Sequence, residues 1–244
     1  MKTRIKFSQI FLKNKAILRK IARSLEIKKD DIIVEIGGGH GELSQFLTSA
    51  KKLIIYEIDK NLASFLKDRF SYFENVEIKN EDFLKADLFY LKNNFKLTGN
   101  IPYKITGKIF RKILTLENHP QLLVFTLQKE VGEKILGKNK NSFWSIWIKI
   151  WGETKSLGII KRKNFRPVPQ VDSIIIKINF YPQPLIKETE LFARFLKKIF
   201  EKPNQKLKNK IPLLPNEYKE KRVFDLNFDD FLNLFQKIFS KNQL

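Results

Sequence analysis

Between residues 31 and 136 the chain alternates short apolar runs with helix-length amphipathic stretches, and this alternation leaves few folds open to it. "DIIVEIG" reads as a strand running into glycines, "ELSQFL" as the start of a helix, and "KLIIYEID" as a second buried strand. "NLASFLKDRF" is helical, "NVEIKNED" is a third strand with an acidic turn, and "FKLTGN" is a fourth strand. "KITGKIFRKIL" follows as a helix, then "QLLVFTLQ" as a fifth strand leading into helical "KEVGEKIL". Strands spaced this way imply βαβ units and a parallel sheet, because a parallel neighbour can be reached only by a crossover of helix length. Further on, "TKSLGIIK" and "SIIIKINF" flank a proline-containing loop and read as an antiparallel pair at the edge of that sheet.

After Pro182 and Pro184 the period changes from strand to helix. "ELFARFLKKIF" collects Leu191, Phe192, Phe195, Leu196, Ile199 and Phe200 on one face, and "FDDFLNLFQKIF" does the same with Phe228, Phe231, Leu232, Phe235 and Phe239. The expectation is α/β: a doubly wound sheet domain over residues 1–181 and a small helical domain over 182–244. A helical tail of this size must dock to bury its apolar faces.

Composition removes several function classes. The chain has no cysteine, which excludes a disulfide framework, a thiolate zinc site and a Cys nucleophile. His40 and His119 are the only imidazoles, far apart in sequence, so a metal site or a His-dependent triad is not expected. No apolar run approaches the roughly 18 residues that span a bilayer. The start, "MKTRIKFSQIFLKNKAILRKI", is basic and amphipathic as a transit peptide would be, but Ile17, Leu18, Ile21 and Leu25 form an ordinary buried stripe. The expectation is a solvated first helix, a cytoplasmic protein without a membrane partner, and a monomer. A net charge of +21 would attract phosphate polymers, although lysines also serve merely to solvate a surface.

"VEIGGGHGEL" sets Gly37, Gly39 and Gly41 between a strand and a helix, where glycines allow positive φ and close approach of a ligand. The dinucleotide fingerprint needs a further glycine at position 42, and Glu42 stands there with a charge that repels a pyrophosphate. No Gly-Lys-Ser/Thr follows, so the loop is not a P-loop either. The spacing suits a small zwitterion carrying an adenosine, such as S-adenosylmethionine. Glu57, at the end of the second strand, can accept from both ribose hydroxyls, and Asp82, at the end of the third, from an adenine amine. Each acid alone is as well read as a turn residue; the three features at successive strand ends are not.

The fourth strand ends on "GNIPYKIT", where Pro102 cannot continue a central strand. Asn100 and a backbone carbonyl offer acceptors to an exocyclic amine, Ile101 and Pro102 stiffen the turn, and Tyr103 offers a flat face to a base. Accepting both amine hydrogens in a non-planar arrangement favours the tetrahedral nitrogen of an attacking amine.

These segments, with "FSQIFLKNKAILRKI", "YEID", "NEDFL", "LQKEVGEKIL" and "NFRPVPQVDSIIIKI", appear in an order that resembles the ribosomal RNA adenine N6-dimethyltransferases, which include the KsgA and Erm branches. The resemblance implies a Rossmann-like class I methyltransferase sheet with a small helical C-terminal domain, S-adenosylmethionine as donor, S-adenosylhomocysteine as product and ribosomal RNA as partner. It implies cofactor contacts at Leu12, Gly37, Gly39, Gly41, Glu57, Ile58, Asp82, Phe83 and Asn100, and a target adenine held by Asn100, Ile101, Pro102 and Tyr103, with Phe165 stacked on its other face. The tail resembles the KsgA branch, which dimethylates two adjacent adenosines near the 3′ end of small-subunit RNA; the Erm branch, acting on large-subunit RNA, and a non-catalytic assembly factor on the same fold are the alternatives. Lys197, Lys198, Lys202, Lys206, Lys208 and Lys210 face only Glu201 locally, as a phosphate-contacting surface would. Three departures accompany the resemblance: Ile10 where Asn or His is usual, Lys104 where Asn is common, and "KPNQK" where an Arg-Arg-Lys cluster is usual.

Overall fold

The computed structural model describes residues 10–91, 95–211 and 214–240, without the side chains of Tyr103 and Ser240. The Tyr103 ring and residues 7–9 of the "FSQIFL" motif therefore lie outside the described residues. In chain order the regular elements are β1 (Phe11–Leu12), α1 (Lys15–Ser24), β2 (Ile32–Ile36), β3 (Lys52–Tyr56), α2 (Lys60–Arg69), β4 (Val76–Lys79), β5 (Phe95–Asn100) and α3 (Thr106–Leu114). They continue with β6 (Leu122–Gln128), α4 (Lys129–Leu136), α5 (Phe143–Lys149), β7 (Gly152–Ile160), β8 (Phe165–Arg166), β9 (Ser173–Phe180), α6 (Thr189–Phe200) and α7 (Phe228–Ser240).

Seven strands form one sheet in the order β4-β3-β2-β5-β6-β9-β7, with β4, β3, β2, β5 and β6 parallel and β9 antiparallel to β6. The chain leaves β2 outward through β3 and β4, then returns to β5 on the other side of β2, so the winding direction reverses between β2 and β5. A crevice opens at such a reversal beyond the carboxyl ends of the strands. Register fixes what faces it: Ile36 lies opposite both Tyr56 and Gly99, so Gly37, Glu57 and Asn100 leave the sheet side by side.

Helix α1 starts at Asn14, whose side chain caps the amides of Ala16 and Ile17 at 3.0 and 3.3 Å, and buries the expected stripe of Leu18 and Ile21 with Leu25 beyond its end. "ELSQFL" departs from expectation, giving only a 3-10 turn over Ser44–Phe46. Within the segment Gln45 Nε2 takes the Glu42 carbonyl at 2.8 Å, and just after it Asn75 Nδ2 takes those of Thr48 and Ala50, so the turn does not run on into a helix.

The chain divides into two compact units, Met1–Gly132 with Glu153–Pro182 and Glu133–Gly152 with Gln183–Leu244. The second unit thus takes residues 133–152 in addition to the tail. The reason lies in α5, which packs on α6, while Leu185 N–H donates to the Ile150 carbonyl at 2.8 Å and Asn141 Nδ2 to the Leu226 carbonyl at 2.7 Å. Within that unit Phe192 and Phe235 meet edge to face at 5.0 Å between centroids, so the two expected apolar faces bury each other. No helix among the described residues is long and apolar enough to cross a membrane.

Candidate active site

The strand-end residues converge on one cavity of about 400 Å³ inside the first unit. Leu12, Gly37, Gly39, Glu57, Ile58, Asp82, Phe83, Asn100, Ile101 and Pro102 all line it. Such a volume suits a ligand of cofactor size.

The loop after β2 forms its floor. Gly37, Gly39 and Gly41 have φ of 75°, 57° and 79°, in the left-handed region that side chains resist. At Gly39 the demand is doubled, because a Cβ there would sit 2.9 Å from the Phe11 ring of β1. Gly41 does not line the cavity; its place is against the Phe70 ring, 2.8 Å from where a Cβ would be. Packing against Phe70 and its left-handed φ are sufficient reason for a glycine there.

Glu57 follows β3 and is buried. Its Oε2 accepts from Gly39 N–H at 3.0 Å and its Oε1 from Asp59 N–H at 2.9 Å, which fixes the carboxyl against the glycine loop. Burial raises its pKa, and those two amides pull it back. Asp82 lies three residues past the end of β4, its Oδ1 accepting from Leu84 N–H at 2.9 Å. Phe83 is buried against Tyr56, edge to face at 5.6 Å.

The fourth strand end is tied back to the start of the chain. Asn100 Nδ2 donates to the carbonyl of Ile10 at 2.7 Å. A carbonyl only accepts, so this bond decides which amide atom faces it and leaves Oδ1 as the acceptor on the opposite side. Ile101 N–H donates to Thr126 O at 3.0 Å, extending the β5–β6 ladder one step, and Pro102 then ends it with φ −59°. The carbonyl of Pro102 accepts from Ile105 N–H at 3.1 Å. The Ile10 departure thus leaves the backbone contact intact: the atom used is the carbonyl, which any residue supplies.

Two expectations change. Phe165 is fully buried, paired through β8 with Leu12 of β1 and packed in a core with Leu18, Ile21 and Val124. It is absent from the cavity wall and presents no face to a base. Glu42 does line the cavity, but its carboxylate is paired with Lys13, so the repulsion argued from its charge is largely cancelled.

Glu35 was missed by sequence reasoning. It is buried in β2, lines the cavity, and its Oε2 has no hydrogen-bond partner among the described residues. Burial lifts its pKa from 4.5 to about 8; Glu42 and Glu57 nearby add to the rise and Ser44 opposes it. The signal was present: a charged residue inside "IIVEIG", a strand covered on both faces, needs a reason. Phe11, over Gly39, and Thr126, opposite Asn100, were missed as well and carry no sequence signal of their own. Among the described residues no group of three or more His, Cys, Asp or Glu is arranged to hold a metal.

The tail lysines are in mixed states. Lys206 and Lys208 share the carboxylate of Glu220 at 2.5 and 2.7 Å, and Lys210 donates to the Ile199 carbonyl at 2.6 Å. Lys197, Lys198 and Lys202 are exposed.

A family model described as ribosomal RNA adenine dimethylase matches residues 1–236. The chain is 32% identical to the ribosomal RNA small subunit methyltransferase A of a Hydrogenobaculum species, over 99% of this chain and 96% of that one. Among solved structures, a dimethyladenosine transferase from Plasmodium falciparum superposes with TM-score 0.85 at 26% identity, covering 95% of this chain and 98% of that one. The 23S rRNA methyltransferase ErmE shares the fold, with TM-score 0.79 at 24% identity over 94% of this chain and 99% of that one.

Proposed function

The chain belongs to the ribosomal RNA adenine dimethylase family, and from that premise we propose that it transfers methyl groups from S-adenosylmethionine to the N6 amines of two adjacent adenosines in the 3′-terminal hairpin of small-subunit ribosomal RNA. The observation that carries this reading is the Asn100 amide, locked by the Ile10 carbonyl with its acceptor presented beside the Gly37, Glu57 and Asp82 strand ends.

The cavity fits the cofactor by its own chemistry. Each Glu57 oxygen already takes one backbone N–H and keeps a lone pair for a ribose hydroxyl. Asp82 commits Oδ1 to Leu84, which leaves Oδ2 for the adenine amine. Glu35, a neutral acid in the open cavity because burial raises its pKa to about 8, presents an unpartnered oxygen there that accepts from the amino-acid ammonium. When bound, S-adenosylmethionine supplies an electrophilic methyl group on a sulfonium centre.

The residues of this chain then hold the nucleophile. An adenine amine is planar and its lone pair is delocalised into the ring. Asn100 Oδ1 accepts one of its hydrogens and the Ile101 carbonyl the other, the Pro102 carbonyl being engaged by Ile105. Two acceptors out of the ring plane favour the tetrahedral nitrogen and free its lone pair for the methyl group. Tyr103 is the proposed stacking face, and Lys104, exposed at the cavity rim, adds a cation close to the target nucleotide. Exposed Lys197, Lys198 and Lys202 serve the RNA from the helical unit. The setting of this reading is a cytoplasmic monomer acting on the small subunit or its precursor.

Labelled methyl transfer to unmethylated small subunits and to protein-free large-subunit RNA, with the products mapped by mass spectrometry, tests the proposal. Dimethyladenosine in the small-subunit 3′ hairpin is the expected result. Transfer to large-subunit RNA alone, or tight binding without transfer, contradicts it.

A further inference from the structure

A second concavity, of about 530 Å³, lies in the first unit between α1 and the edge strand β7. Lys20 and Arg23 of α1, Lys155 of β7, and Lys177 of β9 line it, with Glu26 as its one acid. None of these residues was singled out by the sequence, because they are 157 positions apart at the extremes and their charges merge with a generally basic composition.

The floor of the groove is built. Lys177 is buried and its ammonium is bonded to Glu26. Glu26 follows the end of α1 with φ 50°, a left-handed conformation that a non-glycine residue adopts at a cost of about 1 kcal/mol. That conformation carries its carboxylate over Lys177, and Lys177 holds its pKa below the ordinary range. A second buried lysine, Lys96, donates to the carbonyls of Leu25 and Glu26 at 3.0 and 2.8 Å and pairs with Asp31 at 2.6 Å. Two cations under the C-terminus of α1 complement its dipole and fix the turn. The acid's strongest partner is therefore the buried Lys177.

The walls differ from the floor. Lys20, Arg23 and Lys155 are exposed, and none has a carboxylate within ion-pair distance among the described residues. Gly158 of β7 has φ 124° and no side chain, and Lys20 Nζ lies only 3.5 Å from where its Cβ would be. The groove is thus open, concave and lined by three cations that form no ion pair among the described residues, with Glu26, already bonded to Lys177, acting on Lys155 only at longer range. Helix α1 and β7 belong to the same unit as the active-site cavity, so their spacing from Asn100 is set by the fold and not by a hinge.

We infer that this groove seats a backbone phosphate of the RNA substrate, with Lys20, Arg23 and Lys155 as its donors. The inference rests on the RNA-modifying reading above and assigns an RNA contact to the sheet unit. A register-setting phosphate contact on the rigid unit orients the strand, while the Asn100 end reads the base.

The test is RNA binding by the full chain, measured separately from methyl transfer. The triple variant K20Q/R23Q/K155Q is compared with wild type and with K51Q/K60Q/K67Q, an equal loss of charge at exposed positions elsewhere in the unit. The groove variant is expected to bind small-subunit 3′-end RNA at least tenfold more weakly at 0.1 M salt and to lower the slope of log K against log salt by about 2. Its S-adenosylhomocysteine affinity and thermal midpoint should match wild type, as folding controls. In methyl transfer the loss should fall on KM for RNA and not on kcat. Wild-type affinity and slope in the groove variant, or equal losses in both variants, overturn the assignment. A groove variant that loses inorganic phosphate binding but keeps RNA affinity overturns it in favour of a small-anion site. If wild type binds RNA through the groove but methylates nothing, the proposed function fails and the groove stands.

Discussion

The strand ends of the sheet unit and the loop after α6 are both dense in charge, yet their charges are in opposite states. Glu35, Glu57 and Asp82 meet at one cavity with no ion pair among the described residues, whereas Lys206 and Lys208 are neutralised by Glu220 and Lys210 is bonded to a backbone carbonyl. Glu35 and Glu57 are buried, and burial raises the pKa of both; polar groups left unpaired in such a place are costly, which is what a site awaiting a ligand's donors looks like. Exposed ion pairs contribute little to stability, and the Lys206–Glu220–Lys208 cluster chiefly cancels field at a surface that composition alone would make basic. Density of charge does not mark a site; unpaired acids held in place at the strand ends do.

Four measurements would break or sharpen that contrast. Gly39→Ala is expected to weaken S-adenosylmethionine binding about tenfold or more and to lower stability by about 1–2 kcal/mol, since a side chain at φ 57° is strained and its Cβ would meet Phe11. Calorimetric titration and urea unfolding read both; wild-type affinity would show that the loop is not a close-approach surface.

A smaller effect is expected from Glu35. The unfolded carboxyl releases its proton near 4.5, while the native one keeps it to about 8, so between those values the native state binds more protons. Stability must then fall as pH rises through that window and level off above it. Glu35→Gln should remove most of this slope, seen as urea midpoints that no longer drop between pH 5 and 8.5. An unchanged slope would mean that Glu35 is not buried as a neutral acid.

The smallest effect should come from Glu220→Gln. The carboxyl is held at about 2 by Lys206 and Lys208, so it remains charged at any working pH, and removing it frees two cations. RNA affinity should rise two- to threefold by filter binding. A loss of affinity would show that Glu220 positions those lysines for phosphate.

Much of the crevice was legible because it depends on where strands stop. Gly37, Glu57 and Asn100 each follow a short apolar run, and parallel register alone brings such positions together. Partners set by distant chain were not legible. Nothing in "SFWSIWIKI" says that it packs on α6, nothing near Phe165 says that β8 pairs with β1 and buries its ring, and nothing near Lys206 names Glu220, 14 residues on. The single 3-10 turn at Ser44–Phe46 escaped for the same reason, since Asn75, distant in sequence, takes the carbonyls of Thr48 and Ala50 just after it.

The Asn100 amide is the group on which transfer depends most directly. Single-turnover methyl transfer to unmethylated small subunits should be compared for wild type and Asn100→Ala, with S-adenosylhomocysteine affinity measured on both proteins. The predicted result is a rate lower by about 10²–10³-fold, the scale for removing one preorganised hydrogen-bonding group, with product affinity kept within a few-fold. Turnover at the wild-type rate would contradict the claim that this amide holds the reacting amine.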